Sequence, residues 1–440
     1  MEKPIKLKET QDRLITPSGL ILVGALLLKT ALGKLLNQLG KPADVRHQNA
    51  NCVIAFIGLL CQGKTDYEDI REMQEDPAFY CQALHINTIP SAETVRQRLD
   101  YLGLEIAASS DFVMEQSAAM LKSAGMSPTP TFTGHVPLDI DVSVHDNSHT
   151  KKEGVERTYR GIDGYSPIYA YIGEEGYACN GELRDGGCHS QCAGTVDFLT
   201  ETLLLARQIT GEKPLVRMDS GNDALDNIKL FIKEEADFII KRNLRNETAE
   251  EWLETAKKHG RQASPRDGKV VYTGSVTRDR GLDGPLRIVF SVTERTCLAN
   301  GQMLLEPKID VETWWVSLEN PEEDVIRLYC DHATCEQFHS EIKTDIGLER
   351  FPSGKFSTNA AILKLSLLAL NILRVIGQCS LGTGEKLTRH DVERLRVKTV
   401  IKRLILIAGR VITHARQTFL TLGRSNIWRH VFSRLYEAFG

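Results

Sequence analysis

Apolar residues in the first 130 positions recur every three or four residues, which is the spacing of helices that bury one face. Three segments show this pattern, with glycines between them: 19–40, 49–63 and 106–125. Ser91 is a suitable N-cap for a further short helix. The Ser-, Pro- and Thr-rich segment 127–134 is predicted to be a linker. The chain is therefore expected to begin with a helical region that ends near residue 130.

From residue 136 the pattern changes to short strand-like runs with helices between the later ones. The predicted strands are VPLDIDVSV, two runs within YSPIYAYIGEEGYACNGEL, KPLVRMD and DFIIKRN, and the helices are DFLTETLLLARQIT and ALDNIKLFIKEEA. Asp141 and Asp219 each stand near the end of a strand, and neighbouring central strands would bring them to the same sheet edge. Asp139 is two residues from Asp141 and faces the same side.

Between about residues 242 and 325 the alternation is interrupted by further strand-like runs. KVVYTGSVT, PLRIVFSVT and DVETWWVSL are rich in β-branched and aromatic residues and are separated by polar turns. Trp314 and Trp315 alternate in the last run, so at least one of them should face inward. This stretch is predicted to be a β-rich insertion.

The segment YCDHATCEQFHSEIKTD, residues 329–345, has no Gly or Pro and predicts a helix that begins after the breaker-rich NPEED. At about 100° per residue, one narrow face of this helix carries His332, Glu336, Ser340 and Lys343. Asp331, Glu341 and Asp345 fall elsewhere around it. Glu336 is therefore the acid that this face presents.

Asp141, Asp219 and Glu336 are three carboxylates supplied by two strands and a helix. Such a set can hold a pair of divalent metal ions about 3.5–4 Å apart, which is the arrangement used for in-line phosphoryl transfer. Asp139 remains an alternative to Asp141 as the first ligand.

The spacing Tyr329-x2-His332-x3-Glu336-x6-Lys343 resembles the Tyr-x2-Arg-x3-Glu-x6-Lys motif of DDE transposases from bacterial insertion sequences. The blocks LDIDVSVHDNSHTKKEG, RGIDGYSPIYAYI and VRMDSGND look like the two Asp regions of that family. The resemblance runs from about residue 136 to 380. It implies an α/β fold with a ribonuclease-H-like catalytic core, interrupted by a β-rich insertion and flanked by N- and C-terminal helical regions.

The resemblance also implies roles for single residues. Asp141, Asp219 and Glu336 would be catalytic and would hold two Mg²⁺ ions, with Mn²⁺ as a substitute. Tyr329, His332 and Lys343 would contact DNA phosphates, although His332 lacks the fixed guanidinium fork of the family's Arg. Trp314 or Trp315 either packs in the core or stacks on an unpaired base at the DNA end.

The partners that the resemblance implies are double-stranded DNA at the terminal inverted repeats of the transposon and at the target, and a second copy of the chain in a homodimer. The reaction would be cut-and-paste transposition. The expected domains are a helical region that binds DNA ends (1–130), the first part of the core (131–241), the insertion (242–325), the second part of the core (326–380) and a basic helical region (381–440).

Composition is compatible with this interpretation. The 440 residues carry a net charge of −4, so any contact with DNA must come from local patches. One such patch is the tail after Cys379, with twelve Lys or Arg against four Asp or Glu. The apolar runs 19–28 and 361–377 are predicted to be buried helices rather than membrane spans. The ten cysteines, among them the cluster Cys179, Cys188, His189 and Cys192, form no regular framework, which favours reduced thiols in the cytoplasm.

Three alternatives use some of the same residues. A ribonuclease-H-like nuclease needs the same carboxylates but no strand transfer. A glycosyltransferase of the DxD type would use Asp139 and Asp141 for a metal and a nucleotide sugar, which leaves Asp219 and Glu336 without a role. A DNA-binding relic without activity would not require the complete carboxylate set.

Overall fold

The computed structural model describes residues 5, 7–40, 48–108, 112–188, 192–298, 300–385, 388 and 390–440. It divides the chain into two compact units. The sheet unit is Ser127–Ser340, and the helical unit combines Met1–Met126 with Glu341–Gly440. The predicted N- and C-terminal regions therefore belong to one unit, and the insertion belongs to the same unit as the strands that carry Asp141 and Asp219.

The sheet unit is a mixed α/β structure built on one large sheet. In the described part of the chain this sheet has nine strands. In spatial order they are Gly260–Arg266, Lys269–Arg278, Leu286–Cys297, Met303–Val316, Asp237–Lys241, Pro214–Met218, Val136–Val142, Ile168–Ile172 and Tyr177–Glu182. The short strands His145–Asp146, Glu156–Arg157 and Asp163–Tyr165 form a second small sheet.

The centre of the large sheet is parallel. Val136–Val142 pairs in parallel with Pro214–Met218, which in turn pairs in parallel with Asp237–Lys241. The connections run through the helices Thr195–Ile209 and Leu225–Lys233. These crossovers cover the sheet, so the central strands are buried along nearly their whole length. The carboxyl ends of the first two strands, where Asp141 and Asp219 stand, consequently lie side by side.

The predicted insertion does not form a separate sheet. Its last strand pairs antiparallel with a central strand, with Trp315 opposite Ile240, so the strands between residues 260 and 316 extend the central sheet. Both tryptophans are buried, to 1% and 2% exposure. Trp314 packs in the core with Leu215 and Val289. The opposite face of the sheet, which Trp315 occupies, is also covered, so both rings face inward.

The remaining helical segments of the sheet unit are Ala249–His259, Glu322–Cys330 and Cys335–Ser340, with single 3-10 turns at Ser220–Asn222 and Asp331–Thr334. The prediction of one continuous α-helix over residues 329–345 is therefore wrong. The helix begins earlier, at Glu322, because Pro321 is compatible with its N-cap and three acids in its first turn complement the helix dipole. It is then interrupted by the 3-10 turn, and a π-helical turn follows at Glu341–Asp345.

The helical unit is organised around one long buried helix, Phe356–Leu381. The shorter helices around it in the sequence are Leu20–Leu27, Leu32–Gln38, Asn49–Leu60, Arg71–Glu75, Pro77–Leu84, Ala92–Ala108, Phe112–Ser123, Val397–Val400 and Arg429–Phe439, with a 3-10 turn at Tyr67–Ile70 and π-helical turns at Glu341–Asp345 and Ile401–Ile405. By length and composition Phe356–Leu381 could cross a membrane, as could the bent pair Leu20–Leu27 and Leu32–Gln38. The apolar window of the long helix is 100% buried, which confirms the predicted buried helix.

The basic tail differs from the predicted helical region. Gly409–His414 and Gln417–Leu422 form a hairpin, and Arg13–Ile15 adds a third strand. The turn residues Ala415 and Arg416 both have positive φ, 48° and 65°, which matches the turn geometry that joins two-residue hairpins. Such turns usually contain Gly or Asn, so this sequence lacked the normal hairpin signal.

Cys188 and Cys192 are placed to form a disulfide, with their Cα atoms 5.9 Å apart, and the expectation of reduced thiols stays a prediction. His189, which belongs to the same sequence cluster, lies outside the described residues.

Candidate active site

Two successive positions on one face of the central sheet carry charged residues. In the parallel register Asp139 is opposite Arg217, and Ile140 is opposite Met218. Asp141 and Asp219 follow directly, each one residue beyond this last register position. Aligned strands lie about 4.8 Å apart, so the first position brings together opposite charges and the second brings together like charges.

Asp139 is fully committed to structural contacts. Arg217 donates to both of its oxygens, from Nε and Nη2, at 2.7 Å each. His332 Nδ1 lies 2.7 Å from Oδ1. Burial opposes ionisation of Asp139, but the charges of Arg217 and His332 and their hydrogen bonds outweigh it and lower the pKa of this carboxyl.

Arg217 also connects this centre to the helix that precedes the motif. Its Nη1 donates to the carbonyl oxygen of Leu328 at 2.6 Å, within Glu322–Cys330. The Arg217 side chain is 4% exposed and that of Asp139 is 3% exposed. Asp139, Arg217 and His332 therefore form a buried network of hydrogen bonds. Together with the bond from Arg217 to the Leu328 carbonyl, this network fixes the segment 322–332 against the sheet.

Asp141 has a different environment. Its side chain is 25% exposed. Oδ1 accepts from the backbone N–H of Val142 at 2.7 Å, and Oδ2 lies 3.3 Å from Nε2 of His339. Among the described residues no Arg or Lys is paired with it in an ion pair. Its oxygens are therefore available to a cation, whereas those of Asp139 are not.

Asp219 completes the like-charge position. Its Oδ1 accepts from the side-chain amide of Asn222 at 2.7 Å. Burial raises the pKa of Asp219, and the negative charge of Asp141 raises it further. Two adjacent carboxylates in this state repel each other, and a bound divalent cation would relieve that repulsion. The oxygen donors also suit a hard cation such as Mg²⁺, so the residues present fit the metal ions that the sequence resemblance implies.

Tyr329 lies beside these carboxylates. Its ring packs between Trp314 and His332, with centroids 5.5 and 5.6 Å apart. Burial raises the pKa of Tyr329, and the charges of Asp219 and Asp141 raise it further, so the phenol stays protonated at neutral pH. The hydroxyl is therefore a hydrogen-bond donor in a strongly negative environment.

Glu336 is exposed on the short helix Cys335–Ser340. Its charge contributes to raising the pKa of its buried neighbour Cys335, after burial itself and the charges of Asp139 and Asp141. In the described part of the chain, the one group of three or more Asp, Glu, Cys or His ligand atoms within 4.8 Å of one another is Asp141, Cys335 and His339. The convergence of Asp141, Asp219 and Glu336 on shared metal ions stays a prediction.

Sequence reasoning missed Cys335 and His339. The signal was present, since a Cys and a His four residues apart on a helix share one face. The predicted site is built on the face that carries Glu336 and therefore does not include them.

The other predicted residues of the motif have diverse surroundings. His332 is 7% exposed and its Nδ1 is held by Asp139, so a phosphate contact would have to use Nε2. Lys343 is partly exposed in the π-helical turn Glu341–Asp345 of the helical unit. Glu341 in the same turn is 2% exposed, forms an ion pair with Arg374 and accepts from the backbone N–H of Val397 at 3.1 Å.

Trp315 is enclosed by charged groups. Its Nε1 donates to Asp223 at 3.0 Å, and the guanidinium carbons of Arg242 and Arg280 lie 4.5 and 4.7 Å from its ring centroid. Base stacking on this ring would require an arginine to move away. For Trp314, core packing explains the position.

Comparison with known proteins finds one family model that spans nearly the whole chain. The sequence model of the family described as "Transposase DDE domain group 1" matches residues 1–439. No curated protein matches the chain. Among solved structures, the cryo-EM structure of a piggyBac transposase synaptic complex with hairpin DNA matches 89% of this chain and 80% of that chain, at 11% sequence identity and a TM-score of 0.40.

Proposed function

The chain belongs to the transposase DDE domain group 1 family, and we propose that Asp141, Asp219 and Glu336 are the catalytic carboxylates of this DNA transposase. The observation that carries the proposal is the like-charge position at the end of the two parallel strands. Asp141 and Asp219 are brought together there, the pKa of Asp219 is raised, and no Arg or Lys forms an ion pair with either carboxylate among the described residues. Glu336 is the exposed acid of the short helix Cys335–Ser340.

The three carboxylates would hold divalent metal ions, for which we propose two Mg²⁺, with Mn²⁺ able to substitute. Such ions make a water or a 3′-hydroxyl more nucleophilic and stabilise the leaving oxygen of the phosphodiester. The residues of the chain do the rest. Asn222 and the backbone N–H of Val142 orient the two aspartates, and Arg217 holds the helix Glu322–Cys330 through Leu328.

Asp139 acts in this proposal as a positioning residue and not as a ligand. Both of its oxygens are taken by Arg217, and one is also contacted by His332. The same contacts disfavour a DxD glycosyltransferase, because that reaction needs Asp139 and Asp141 to face the metal together.

Finer features of the reaction are also proposed. Among the strands of the large sheet up to Lys241 and the helices that connect them, the order strand-strand-strand-helix-strand-helix-strand supports a ribonuclease-H-like core with the insertion 242–325. We propose that a homodimer cuts at terminal inverted repeats and joins the ends to target DNA, that the chain comes from a bacterial insertion sequence, and that it works in the cytoplasm at the nucleoid. Tyr329, Lys343 and Nε2 of His332 are proposed phosphate contacts, and base stacking by Trp314 or Trp315 stays a prediction.

The test is a strand-transfer assay. A pre-cleaved donor end, taken from the DNA that flanks the coding region, is incubated with the protein, Mg²⁺ and a target plasmid. Joined product is expected from the transposase, whereas a nuclease without strand transfer only degrades DNA.

Glu336→Gln should abolish cleavage and joining while end binding in EDTA is retained. Glu254→Gln, an exposed glutamate on the helix Ala249–His259, is the matched control and should keep both activities. Glu341→Gln is unsuitable as a control, because Glu341 is in a buried ion pair. Full activity of Glu336→Gln would contradict its assignment.

A further inference from the structure

A second group of metal-binding side chains meets at Asp141. The ligand atoms of Asp141, Cys335 and His339 all lie within 4.8 Å of one another. Cys335 and His339 are 2% and 6% exposed, and they stand one helical turn apart on Cys335–Ser340. One carboxylate of the proposed catalytic set is thus shared with a thiol and an imidazole.

Two of the three distances within this group match the coordination sphere of a tetrahedral ion. Nε2 of His339 lies 3.6 Å from Sγ of Cys335 and 3.3 Å from Oδ2 of Asp141. With bonds of about 2.05 Å to nitrogen, 2.3 Å to sulfur and 2.1 Å to oxygen, a tetrahedral zinc ion separates nitrogen from sulfur by about 3.6 Å and nitrogen from oxygen by about 3.4 Å. The nitrogen–oxygen contact is also longer than an ordinary N–H···O hydrogen bond, about 2.7–3.2 Å.

The surroundings of His339 orient its ring for this role. The other ring nitrogen, Nδ1, lies 3.3 Å from the hydroxyl of Tyr171. Metal-binding histidines commonly use their second nitrogen in such a hydrogen bond, which fixes the tautomer and the ring direction. Tyr169 and Tyr171 also pack against the imidazole, with centroids 5.2 and 5.5 Å away. Nε2 is therefore held toward the thiol and the carboxylate.

The donor types distinguish this group from an Mg²⁺ site. Thiolate and imidazole select zinc and other soft or borderline ions, whereas Mg²⁺ requires oxygen donors in near-octahedral geometry. Three protein ligands also leave a fourth position open to water or to a DNA oxygen.

We propose that Asp141, Cys335 and His339 form a Zn²⁺ site whose occupation withdraws Asp141 from the catalytic carboxylates and so inhibits DNA cleavage. Binding releases the thiol proton of Cys335 to solvent as the sulfur becomes a thiolate ligand. The inhibitory effect rests on the proposed function of Asp141, whereas the binding of the ion does not.

Binding is tested first without any DNA reaction. Metal-free protein is titrated with Co²⁺, which replaces zinc and shows thiolate-to-cobalt absorption only when sulfur is a ligand. The absorption should saturate at one Co²⁺ per chain and should be lost when Zn²⁺ is added. It should be missing in Cys335→Ser and retained in Cys330→Ser, since Cys330 is an exposed cysteine in the preceding helix.

The assignment is overturned if the wild-type protein shows no such absorption, if Cys335→Ser retains it, or if Cys330→Ser loses it. X-ray absorption of the zinc-loaded wild-type protein gives a result that does not depend on the folding of a variant. It should show one sulfur at about 2.3 Å together with nitrogen or oxygen ligands, and zinc bound without sulfur would contradict the site.

Inhibition is tested by end cleavage in excess Mg²⁺, with and without one equivalent of Zn²⁺. Wild-type cleavage should be lost on addition of zinc, and Cys335→Ser should keep its own zinc-free rate. A zinc-loaded wild-type protein that cleaves at full rate would overturn the inhibitory role. If no cleavage occurs even without zinc, the proposed catalytic function fails, and the cobalt and X-ray measurements still decide whether the metal site exists.

Discussion

The two charged positions at the end of the central strands differ although they are neighbours on one face of the sheet. At the first, Asp139 and Arg217 are opposite charges that satisfy each other, with His332 as a third partner. At the second, Asp141 and Asp219 are like charges, and burial together with the charge of Asp141 raises the pKa of Asp219. The ion pair of Asp139 and Arg217 therefore lies beside two carboxylates, Asp141 and Asp219, that repel each other.

This difference indicates a structural role for Asp139 and marks Asp141 and Asp219 as the functional candidates. A buried carboxylate that has all its partners contributes to the position of the elements around it, and losing one partner is costly. Adjacent carboxylates without cationic partners destabilise the folded chain until a cation binds. Perturbed groups of this kind cluster at functional sites. The pair of Asp141 and Asp219, which destabilises the fold until a cation binds, is the pair that the proposed chemistry requires.

The largest expected effect is on catalysis. Asp141→Asn should reduce end cleavage by several orders of magnitude in Mg²⁺, because it removes a metal-holding charge while the side chain keeps its size. Single-turnover cleavage on a labelled DNA end measures this effect. Circular dichroism should show an unchanged fold, and end binding in EDTA should be retained.

Asp139→Asn serves as the paired variant in the same assay. If the folded fraction of Asp139→Asn loses as much cleavage as Asp141→Asn at equal metal concentration, and if its loss is reversed by higher Mg²⁺, then Asp139 is itself a ligand. The distinction between the two positions would then be wrong.

The second prediction concerns stability. Asp139→Asn should lower the free energy of unfolding by about 3–5 kcal/mol, since it leaves the buried guanidinium of Arg217 without its carboxylate. Asp163→Asn is the matched control. Asp163 pairs with Arg157 at 3.2 Å, but both side chains are more than half exposed, and such surface pairs contribute about 0–1 kcal/mol. Urea unfolding of both variants in EDTA gives the comparison, and equal losses would contradict it.

Much of the proposed catalytic site could be predicted from the sequence. Asp141 and Asp219 end strand-like runs, and the alternation of side chains placed Asp139 on the same face as Asp141. The sequence also contains Arg217 two residues before Asp219, just as Asp139 comes two residues before Asp141. Only the parallel register sets Asp139 opposite Arg217, and register between strands more than seventy residues apart depends on tertiary structure. The choice between Asp139 and Asp141 therefore stayed open in the sequence.

Other features could not be predicted because local and tertiary preferences disagree. The segment 329–345 has no helix breaker, yet it changes from α-helix to a 3-10 turn at Asp331–Thr334, where His332 contacts Asp139. The hairpin Gly409–Leu422 turns at Ala415 and Arg416 without Gly or Asn, and its apolar residues are compatible with helical spacing. In both segments contacts with distant residues decide the local geometry.

The third prediction uses the raised pKa of Asp219. The folded chain binds this proton more tightly than the unfolded chain does, so the contribution of Asp219 to stability is present below its unfolded pKa, about 3.9, and is lost as the pH rises through the folded value. At pH 7 in EDTA the ionised group is therefore unfavourable. Asp219→Asn should have a higher Tm than the wild type at that pH.

The advantage of Asp219→Asn should shrink as the pH is lowered toward about 4, because a growing fraction of the wild-type carboxyl is then protonated. Added Mg²⁺ should raise the Tm of the wild type and not that of the variant, because the ion binds the carboxylates. Thermal unfolding between pH 4 and 7, with EDTA or Mg²⁺, checks both statements. A wild type that is more stable than the variant in EDTA at pH 7 would mean that the like charges are compensated after all.

The smallest expected effect tests whether Arg217 or His332 is the main partner of Asp139. His332→Asn keeps a hydrogen-bond donor close to the place of Nδ1 and leaves the two bonds from Arg217 to Asp139 intact. The loss should be about 1 kcal/mol, the net value of one hydrogen bond, with some added cost from the lost ring contact to Tyr329. It is measured by the same urea unfolding as Asp139→Asn. If His332→Asn costs as much as Asp139→Asn, then the imidazole and not the guanidinium is the main partner of Asp139, and the compensation at the first position depends on the motif segment rather than on the sheet.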